Sequence, residues 1–255
     1  MKLPWLDPNI IQFPDTNQAL LEPNGLLAVG GQLSPNWLLH AYRQGIFPWF
    51  NEGDPILWWT PSPRMVIYPH QFHLSKSLRK TLKRGGFSVT INEHFDEVIN
   101  ACAAPREEIE RDQLDEPVTW ITPLMTDAYR NLHKQGVAHS IEVWSDNALV
   151  GGLYGLSLGE VFFGESMFSR TTNGSKIAIA HLVEHLKQWQ YKLIDCQVYS
   201  DHLSSLGAIE IDRHMFEKII HRYTADDDLE ISAKTERWRA REVTLTGEYW
   251  AKLAN

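Results

Sequence analysis

Cysteine is scarce in this sequence of 255 residues, which contains only Cys102 and Cys196. Two cysteines are too few for a disulfide scaffold or for a zinc site built on thiolates. No apolar run reaches the roughly 18 to 20 residues that a membrane helix needs, and Pro4 and Asp7 interrupt the first residues before the apolar core of a signal peptide could form. We therefore expect a cytoplasmic protein, without a membrane partner, whose fold depends on packing.

Common nucleotide-binding and hydrolase motifs are also absent. The sequence has no G-x-x-x-x-G-K-[ST] phosphate loop, no G-x-G-x-x-G dinucleotide motif, no H-E-x-x-H zinc motif and no G-x-S-x-G nucleophile motif. Its 11 histidines are scattered, and none has partners at the spacing of a metal site. The sequence therefore gives no support to an ATPase, a dinucleotide enzyme, a zinc protease or an α/β-hydrolase.

Charge is unevenly distributed along the chain. The 24 Lys and Arg against 32 Asp and Glu give a formal net charge of −8, which argues against a nucleic-acid partner because phosphate binding depends on cations. Residues 61–92, however, contain no acidic residue, and a helix predicted between the Ser75 cap and Gly85 carries most of their cations. This basic helix is typical of a phosphate track, although a solvated helix face would have the same composition. Its cations are Lys76, Arg79, Lys80, Lys83 and Arg84.

The order of the predicted elements indicates an α+β fold. The first residues are rich in Pro, Gly and Trp, and their one clear helix starts after Ser34. Three strand-like runs between residues 140 and 168 predict an antiparallel meander, which a helix over about 174–188 and a strand over 191–199 follow. The acidic segment 106–116 is predicted to be an exposed loop. The predicted units are a small N-terminal domain over 1–62, a main domain over 63–223 and a C-terminal tail of uncertain structure over 224–255.

One predicted strand, residues 191–199, places a carboxylate beside a carboxamide. Because side chains alternate along a strand, Asp195 and Gln197 share one face and the apolar residues around them take the other. Asp195 can accept a proton or orient a donor, and the Gln197 amide both donates and accepts hydrogen bonds. The pattern indicates a catalytic pair, but a polar pair that satisfies nearby backbone groups would show the same pattern.

A second strand carries one acid among apolar residues. Alternation along residues 160–168 places Phe163, Glu165 and Met167 on one face. If that face lines a cavity, Glu165 lies beside an adaptable apolar wall, because methionine accommodates guests of different shape. The alternative is a core strand with one glutamate exposed at its edge.

Tryptophans offer a third kind of site. Trp49 and the isolated Trp120 present flat rings on which a nucleobase could stack, at about 1 to 3 kcal/mol per base. Tryptophan is also an ordinary core residue, so base stacking and core packing both remain open on this pattern.

Six blocks of sequence occur in a fixed order between about residues 10 and 210. They are Glu22–Gly31, Gly45–Phe50, Trp120–Thr122, His139–Trp144, Phe163–Ser169 and Leu193–Gln197. Together they resemble the bacterial leucyl/phenylalanyl-tRNA–protein transferase family. The number and order of the blocks make the resemblance specific, whereas no single block would suffice.

This resemblance implies both a fold and a reaction. The main domain would have an acetyltransferase-like (GNAT-type) N-acyltransferase fold, with a mixed, mainly antiparallel sheet flanked by helices. Members of the family transfer Leu or Phe, and less readily Met, from aminoacyl-tRNA to the α-amine of proteins that begin with Arg or Lys, which marks those proteins for degradation by the N-degron route. The ester bond drives this reaction, so the resemblance implies no ATP, metal or coenzyme A, and we expect a monomer.

The same resemblance gives individual residues expected roles. Asp195 polarises Gln197, whose carboxamide orients and activates the attacking amine, and Trp49 and Trp120 hold the terminal adenosine. Glu165 lies at the mouth of the amino-acid pocket and binds either the aminoacyl amine or the basic side chain of the acceptor. The residues expected to line the amino-acid pocket are Leu153, Met167, Ile179, Leu182 and Leu186.

Three other functions fit parts of the sequence. A tRNA-dependent aminoacyltransferase of the same fold could act on a cell-wall peptide amine, and a non-catalytic protein could bind tRNA through the tryptophans and the basic helix. A coenzyme A-dependent acetyltransferase is the third, although the turn at residues 169–174 lacks the R-x-x-G-x-G-like loop that such enzymes use for pyrophosphate. Acceptor choice, activity toward amines and coenzyme A binding distinguish these functions.

Overall fold

The computed structural model describes residues 3–104, 121–224 and 236–253 of the chain. These residues form two sheets, of four and eight strands, with helices packed against them, which confirms the α+β class. No helix in these three ranges is long and apolar enough to cross a membrane. The acidic segment 106–116 lies outside the described residues.

The four-stranded sheet is built from the first part of the chain and has the order β1-β2-β4-β3. Its strands are β1 (Trp5–Leu6), β2 (Leu26–Gly30), β3 (Phe47–Pro48) and β4 (Leu57–Trp59), and helix α1 (Pro35–Tyr42) follows β2 in sequence. Trp58 is fully buried here, and its indole nitrogen donates to the Gly30 carbonyl at 2.8 Å. Because β3 pairs with β4, the next residue after β3, Trp49, is held at the edge of this sheet.

The eight-stranded sheet has the order β11-β5-β10-β9-β8-β7-β6-β12. Its strands are β5 (Arg64–Ile67), β6 (Ser88–Ile91), β7 (Ala138–Ser145), β8 (Ala148–Leu158), β9 (Val161–Ser169), β10 (Leu193–Asp195), β11 (Ile209–Ile211) and β12 (Arg241–Glu242). Strands β7, β8 and β9 form the predicted antiparallel meander. Asp146 and Asn147, both with positive φ, make the turn between β7 and β8, as their residue types favour.

Helices cover the large sheet, and several begin where the sequence predicts. Ser75 Oγ accepts from the Leu78 N–H, and Thr122 Oγ1 accepts from the Met125 N–H, each at 3.2 Å. The helices are α2 (Lys76–Arg84), α3 (Phe95–Ala103), α4 (Pro123–Lys134), α5 (Gly174–Gln188), α6 (Asp201–Ser204), α7 (Arg213–Tyr223) and α8 (Gly247–Lys252), with short 3-10 helices at Thr16–Gln18 and Pro69–Gln71. Helix α5 is the crossover between β9 and β10, which run parallel.

Strand β10 is shorter than the sequence predicts. It ends at Asp195, whereas alternation favours a strand over 191–199. Gln197 has a φ of 58°, in the left-handed region, because its N–H turns back to the Asp195 carboxylate. The prediction that Asp195 and Gln197 share one strand face is therefore wrong, although the two residues do contact each other.

Residues 236–253, in the stretch whose structure the sequence left uncertain, pack against the main sheet. Strand β12 pairs with β6 at the sheet edge, and α8 packs on α2. Trp238 and Trp250 are both buried, and the Tyr249 hydroxyl donates to Glu184 Oε2 at 2.8 Å. These contacts are made with residues far away in sequence, which local pattern cannot indicate.

Candidate active site

A cleft of about 1230 Å³ opens where strands β9 and β10 part. Their parallel pairing ends at Phe163 and Asp195, and beyond this point Gly164 and Cys196 line the cleft. Trp49, at the edge of the small sheet, lines it as well, so the cleft lies where the two sheets meet. Within the described ranges, no group of three or more His, Cys, Asp or Glu side chains could hold a metal ion.

One part of the cleft is apolar. Leu153, Met167, Ile179 and Leu182 line it, at the positions that the family resemblance implies for the amino-acid pocket. Leu186 differs, because it is fully buried on α5 and is not among the lining residues in the described part of the chain. Apolar lining residues that the sequence does not predict include Phe162, Ile194 and Cys196.

A β-bulge in β9 sets the position of Glu165. Gly164 pairs with Gly155 and Ser166 pairs with Tyr154, so Glu165 is the extra residue between two consecutive pairs. The unpaired residue shifts the alternation of side chains along β9 by one position. Residues before and after the bulge therefore do not follow the simple period of two.

The bulge separates Glu165 from Met167. The Phe163 ring contacts Tyr42 of α1, with 5.2 Å between ring centroids, and Glu165 bonds to the same tyrosine. Met167 instead packs in the core cluster that contains the apolar residues of α5, among them Ile179. The prediction that Phe163, Glu165 and Met167 share one face is therefore wrong.

Two tyrosine hydroxyls hold the Glu165 carboxylate. Tyr42 donates to Oε1 and Tyr129 donates to Oε2, each at 2.7 Å, so the acid joins α1 to α4. Burial raises the pKa of Glu165 to about 7, although the two tyrosine hydrogen bonds oppose that rise. Burial also raises the pKa of both tyrosines, which stay protonated as donors. Glu165 is thus close to half ionised near neutral pH, where it can bind a cation or exchange a proton.

We expect this raised pKa to appear in the pH dependence of stability. Glu165 ionises near pH 4.5 when exposed and near 7 in the fold, so the wild type should lose stability relative to Glu165→Gln as the pH rises from about 4.5 to about 7. The loss should total roughly 1 to 3 kcal/mol, because solvent in the cleft screens part of the effect. Urea unfolding of both proteins between about pH 4 and pH 9 measures it. A difference that stays constant over this range would contradict the raised pKa.

Asp195 is fully buried and paired with Arg64. Arg64 Nε donates to Oδ1 at 2.8 Å and Nη2 donates to Oδ2 at 2.7 Å, the bidentate geometry of a strong ion pair. The guanidinium lies between the rings of Phe47 and Phe216, at 4.7 and 4.6 Å from their centroids. Neither charged side chain is accessible to solvent. Asp195 therefore lies one layer behind the cleft.

Gln197 connects the buried Asp195 to the cleft. Its backbone N–H donates to Asp195 Oδ1 at 3.0 Å, and its carbonyl accepts from the Met65 N–H at 3.1 Å. Its side chain lines the cleft, and the carboxamide Nε2 is buried without a hydrogen-bond partner among the described residues. A buried donor without an acceptor lowers the stability of the fold. A ligand whose acceptor atom bonded to this nitrogen would remove that cost. Gln197 thus brings an unsatisfied carboxamide to the wall of the cleft.

Trp49 lies at the rim of the cleft with 42% of its surface exposed. Trp59 supports it, with 5.6 Å between ring centroids and an indole nitrogen that donates to the Trp49 carbonyl at 2.7 Å. An exposed ring that is backed by a second ring can stack on a nucleobase. Trp120, the second predicted adenosine contact, lies outside the described residues.

Comparison with known proteins decides the family. The protein-family model described as leucyl/phenylalanyl-tRNA protein transferase matches residues 66–221. A second family model, described as the N-terminal domain of the same transferase, matches residues 31–62. The chain belongs to the leucyl/phenylalanyl-tRNA–protein transferase family. Over 222 residues it is 58% identical to the leucyl/phenylalanyl-tRNA–protein transferase of Cellvibrio japonicus, an alignment that covers 87% of this chain and 92% of that relative.

Other members of this transferase family align over similar lengths. The relative from Nitrosospira multiformis is 54% identical over 214 residues, which is 84% of this chain and 89% of its own. That from Hydrogenovibrio crunogenus is 52% identical over 223 residues, 88% of this chain and 85% of its own. Among solved structures, L-PGS from Bacillus licheniformis aligns over 82% of this chain and 63% of its own, with 10% identity and a TM-score of 0.35, too low to support any conclusion.

In this member of the transferase family, the basic helix α2 lies beside the start of α5. Thr81 Oγ1 accepts from Asn173 Nδ2 at 3.4 Å, and Ser175 of α5 lines the cleft. Arg79 is half-buried and donates to the Leu253 carbonyl at 3.3 Å. The exposed cations of the helix are Lys76, Lys80, Lys83 and Arg84. These cations form a basic surface on α2, a helix that contacts the residue before α5, and Arg79 is partly engaged by Leu253.

Three residues that shape the site of this transferase escaped the sequence analysis. Arg64 lies in the stretch 61–92 that has no acidic residue, and Tyr42 lies in the helix that starts after Ser34, and neither pattern predicts a role in the site. A charged residue that opens an apolar strand is a signal that could have identified Arg64. Tyr42 and Tyr129 have no such signal, because they meet Glu165 only in the folded chain.

Proposed function

We propose that this chain transfers Leu or Phe, and less readily Met, from aminoacyl-tRNA to the α-amine of proteins that begin with Arg or Lys, which creates an N-degron. The observation that carries the proposal is the cleft, where an apolar pocket adjoins the unpartnered Gln197 carboxamide in a chain of this family. Such a pocket suits Leu and Phe side chains. It rejects Met only weakly, because a single methylene is worth about 1 to 3 kcal/mol.

The proposed reaction is the aminolysis of an ester. The neutral α-amine attacks the ester carbonyl carbon, the C–N bond forms, and the bond from that carbon to the ribose oxygen breaks. The amine loses a proton as it attacks, and the leaving ribose oxygen takes one up. The ester itself supplies the free energy, so the proposed reaction uses no ATP, metal or coenzyme A.

Gln197 is proposed to act by positioning. A carboxamide is too weak a base to remove the amine proton, but its oxygen can accept a hydrogen bond from the amine, and its unpartnered Nε2 can donate to the ester carbonyl. Asp195 acts through the backbone N–H of Gln197, to which it is bonded. Trp49 and Trp120 are proposed to stack on the terminal adenosine of the tRNA.

Glu165 is proposed to bind the cationic group of a substrate. It lines the cleft, and its carboxylate already accepts from two neutral donors, Tyr42 and Tyr129. A bound ammonium or guanidinium would favour the ionised carboxylate over the protonated form. Both the aminoacyl amine and the basic side chain of the acceptor have the required charge.

The finer description of the fold belongs to the same proposal. The four-stranded sheet lies within residues 5–59 and the eight-stranded sheet within residues 64–242, which supports a small N-terminal domain over 1–62 and a main domain from residue 63. The parallel pair β9 and β10, joined by α5 beside the antiparallel meander, supports a GNAT-type main domain. We propose that it acts as a monomer in the cytoplasm.

Transfer of labelled Phe from Phe-tRNA to two peptides that differ only in an N-terminal Arg or Ala tests the proposal. The wild type should label the Arg peptide alone, without added ATP, metal or coenzyme A. Tight tRNA binding with no transfer to either peptide would overturn it in favour of a cell-wall amine acceptor or a non-catalytic tRNA-binding protein. A requirement for acetyl-coenzyme A would instead indicate an acetyltransferase.

The basic helix predicts the salt dependence of tRNA binding. If its exposed cations contact phosphates, replacing Lys80 or Lys83 with Ala should weaken binding and reduce the slope of log Kd against log[salt] by about 1 for each contact. Lys134, a cation on α4, is a control whose replacement should leave the slope unchanged. Binding of Phe-tRNA between about 50 and 200 mM salt measures the slopes. Equal slopes for all variants would remove α2 from the tRNA interface.

A further inference from the structure

Arg64 is a buried charge that the proposed reaction does not use directly. Its guanidinium is closed off by Phe47 and Phe216, and two of its nitrogens bond to Asp195. The remaining Nη1 has no partner among the described residues. The two bonded nitrogens of Arg64 thus both donate to the same carboxylate, which lies directly behind the cleft.

The main chain of Gln197 is fixed on both sides by this arrangement. Its N–H donates to Asp195 Oδ1, the oxygen that also accepts from Arg64 Nε, and its carbonyl accepts from the N–H of Met65, the residue after Arg64. A φ of 58° is unfavourable for a residue other than glycine, so Gln197 keeps it only while these bonds hold. The direction of the Gln197 side chain depends on that φ.

We propose that Arg64 is a positioning residue for aminoacyl transfer: it fixes the Asp195 carboxylate, which in turn holds Gln197 in the backbone conformation that presents its carboxamide to the substrates. This inference rests on the proposed function. Arg64 does not touch a substrate, and its effect on the reaction passes through Asp195 and Gln197.

The chemistry of the pair requires arginine. The planar guanidinium places two N–H groups in parallel against the two carboxylate oxygens, and its faces stack between Phe47 and Phe216. A lysine ammonium would keep the charge but could not fix both oxygens of Asp195 in one plane. The carboxylate would then rotate, and the Gln197 N–H would lose a fixed acceptor.

Arg64→Lys therefore tests the inference. We expect kcat for Phe transfer to the Arg peptide to fall about 100-fold, the usual cost of a small misplacement of a reacting group. KM for Phe-tRNA should change by less than about threefold, because the apolar pocket and Trp49 are untouched. Arg130→Lys is the matched control, since Arg130 forms an Arg–Asp pair with Asp96 away from the cleft, and its kcat should equal that of the wild type.

A second variant separates positioning from stability. Arg64→Ala leaves a gap between two aromatic rings, and millimolar guanidinium should occupy it and raise kcat about tenfold, whereas Na⁺ at equal ionic strength should not. Thermal unfolding is recorded beside each assay, and kcat is expressed per folded molecule. Guanidinium that restores stability without raising kcat would show a structural role alone and overturn the inference.

The two proposals fail in different ways. If the wild type transfers no amino acid to any peptide, the proposed function fails and Arg64 has no reaction to support. If the wild type is active, and the Arg64→Lys variant is folded and keeps the wild-type kcat, the proposed function stands. The positioning role of Arg64 is then refuted.

Discussion

Gln197→Ala is expected to lower kcat for aminoacyl transfer by about 100- to 1,000-fold, the usual loss when one preorganised hydrogen-bonding group is removed from a reacting centre. The affinity for Phe-tRNA should stay close to that of the wild type, because the variant leaves the apolar pocket residues and Trp49 unchanged. Single-turnover transfer from labelled Phe-tRNA measures the chemical step, and filter binding measures the affinity.

Removal of the Gln197 carboxamide also removes a buried nitrogen without a partner, so the variant should not be less stable than the wild type. Gln188→Ala provides the control, because Gln188 is an exposed residue at the end of α5 and does not line the cleft. Equal losses of kcat and of tRNA affinity in Gln197→Ala would show that Gln197 binds the substrate without promoting the step.

Asp195→Ala is expected to destabilise the protein by about 3 to 5 kcal/mol, because it leaves the fully buried Arg64 guanidinium without a counter-ion. The double variant Arg64→Met/Asp195→Leu removes both charges and should recover most of that stability. It should still fail to transfer Phe, since nothing then accepts from the Gln197 N–H. Urea unfolding and the transfer assay on all three proteins measure the two effects separately.

Two results would contradict this account of Asp195. A single variant as stable as the wild type would show that the buried Arg64 charge does not depend on Asp195. A stable double variant with full transfer activity would show that Gln197 keeps its position without the ion pair.

Features specified by neighbouring residues could be predicted from the sequence. The caps at Ser75 and Thr122 and the turn at Asp146–Asn147 form where the residue types favour them. The meander follows from strands separated by such turns, and the apolar stripe of α5 follows from its period. Each of these depends on interactions within a few residues.

The parts of the site that differed from prediction depend on distant residues. Strand β10 ends at Asp195 because Arg64, 131 positions away, engages its carboxylate and Gln197 bonds to the same group. The bulge at Glu165 is tied to tyrosines that are 123 and 36 positions away. A period of two in the sequence contains neither contact. Alternation therefore wrongly groups Met167 with Glu165 and wrongly places Gln197 within the strand.

Leu186 shows a limit of another kind. Its spacing on α5 is that of a residue on the apolar stripe, which is correct, and it is fully buried. The stripe is longer than the part that borders the cleft, so period alone cannot divide pocket residues from core residues. The cleft opens where β9 and β10 part, and the position of this opening decides which residues of the stripe line the pocket and which lie in the core.

The position of Arg64 between Phe47 and Phe216 has a consequence for synthesis of the chain. A ribosome makes Phe47 and Arg64 early, Asp195 much later and Phe216 last. The stacked guanidinium is completed only once α7 has left the exit tunnel. A nascent or truncated chain that stops before α7 would lack the Phe216 ring that covers the guanidinium, and we expect it to be inactive. We therefore expect activity to appear only after translation has passed α7.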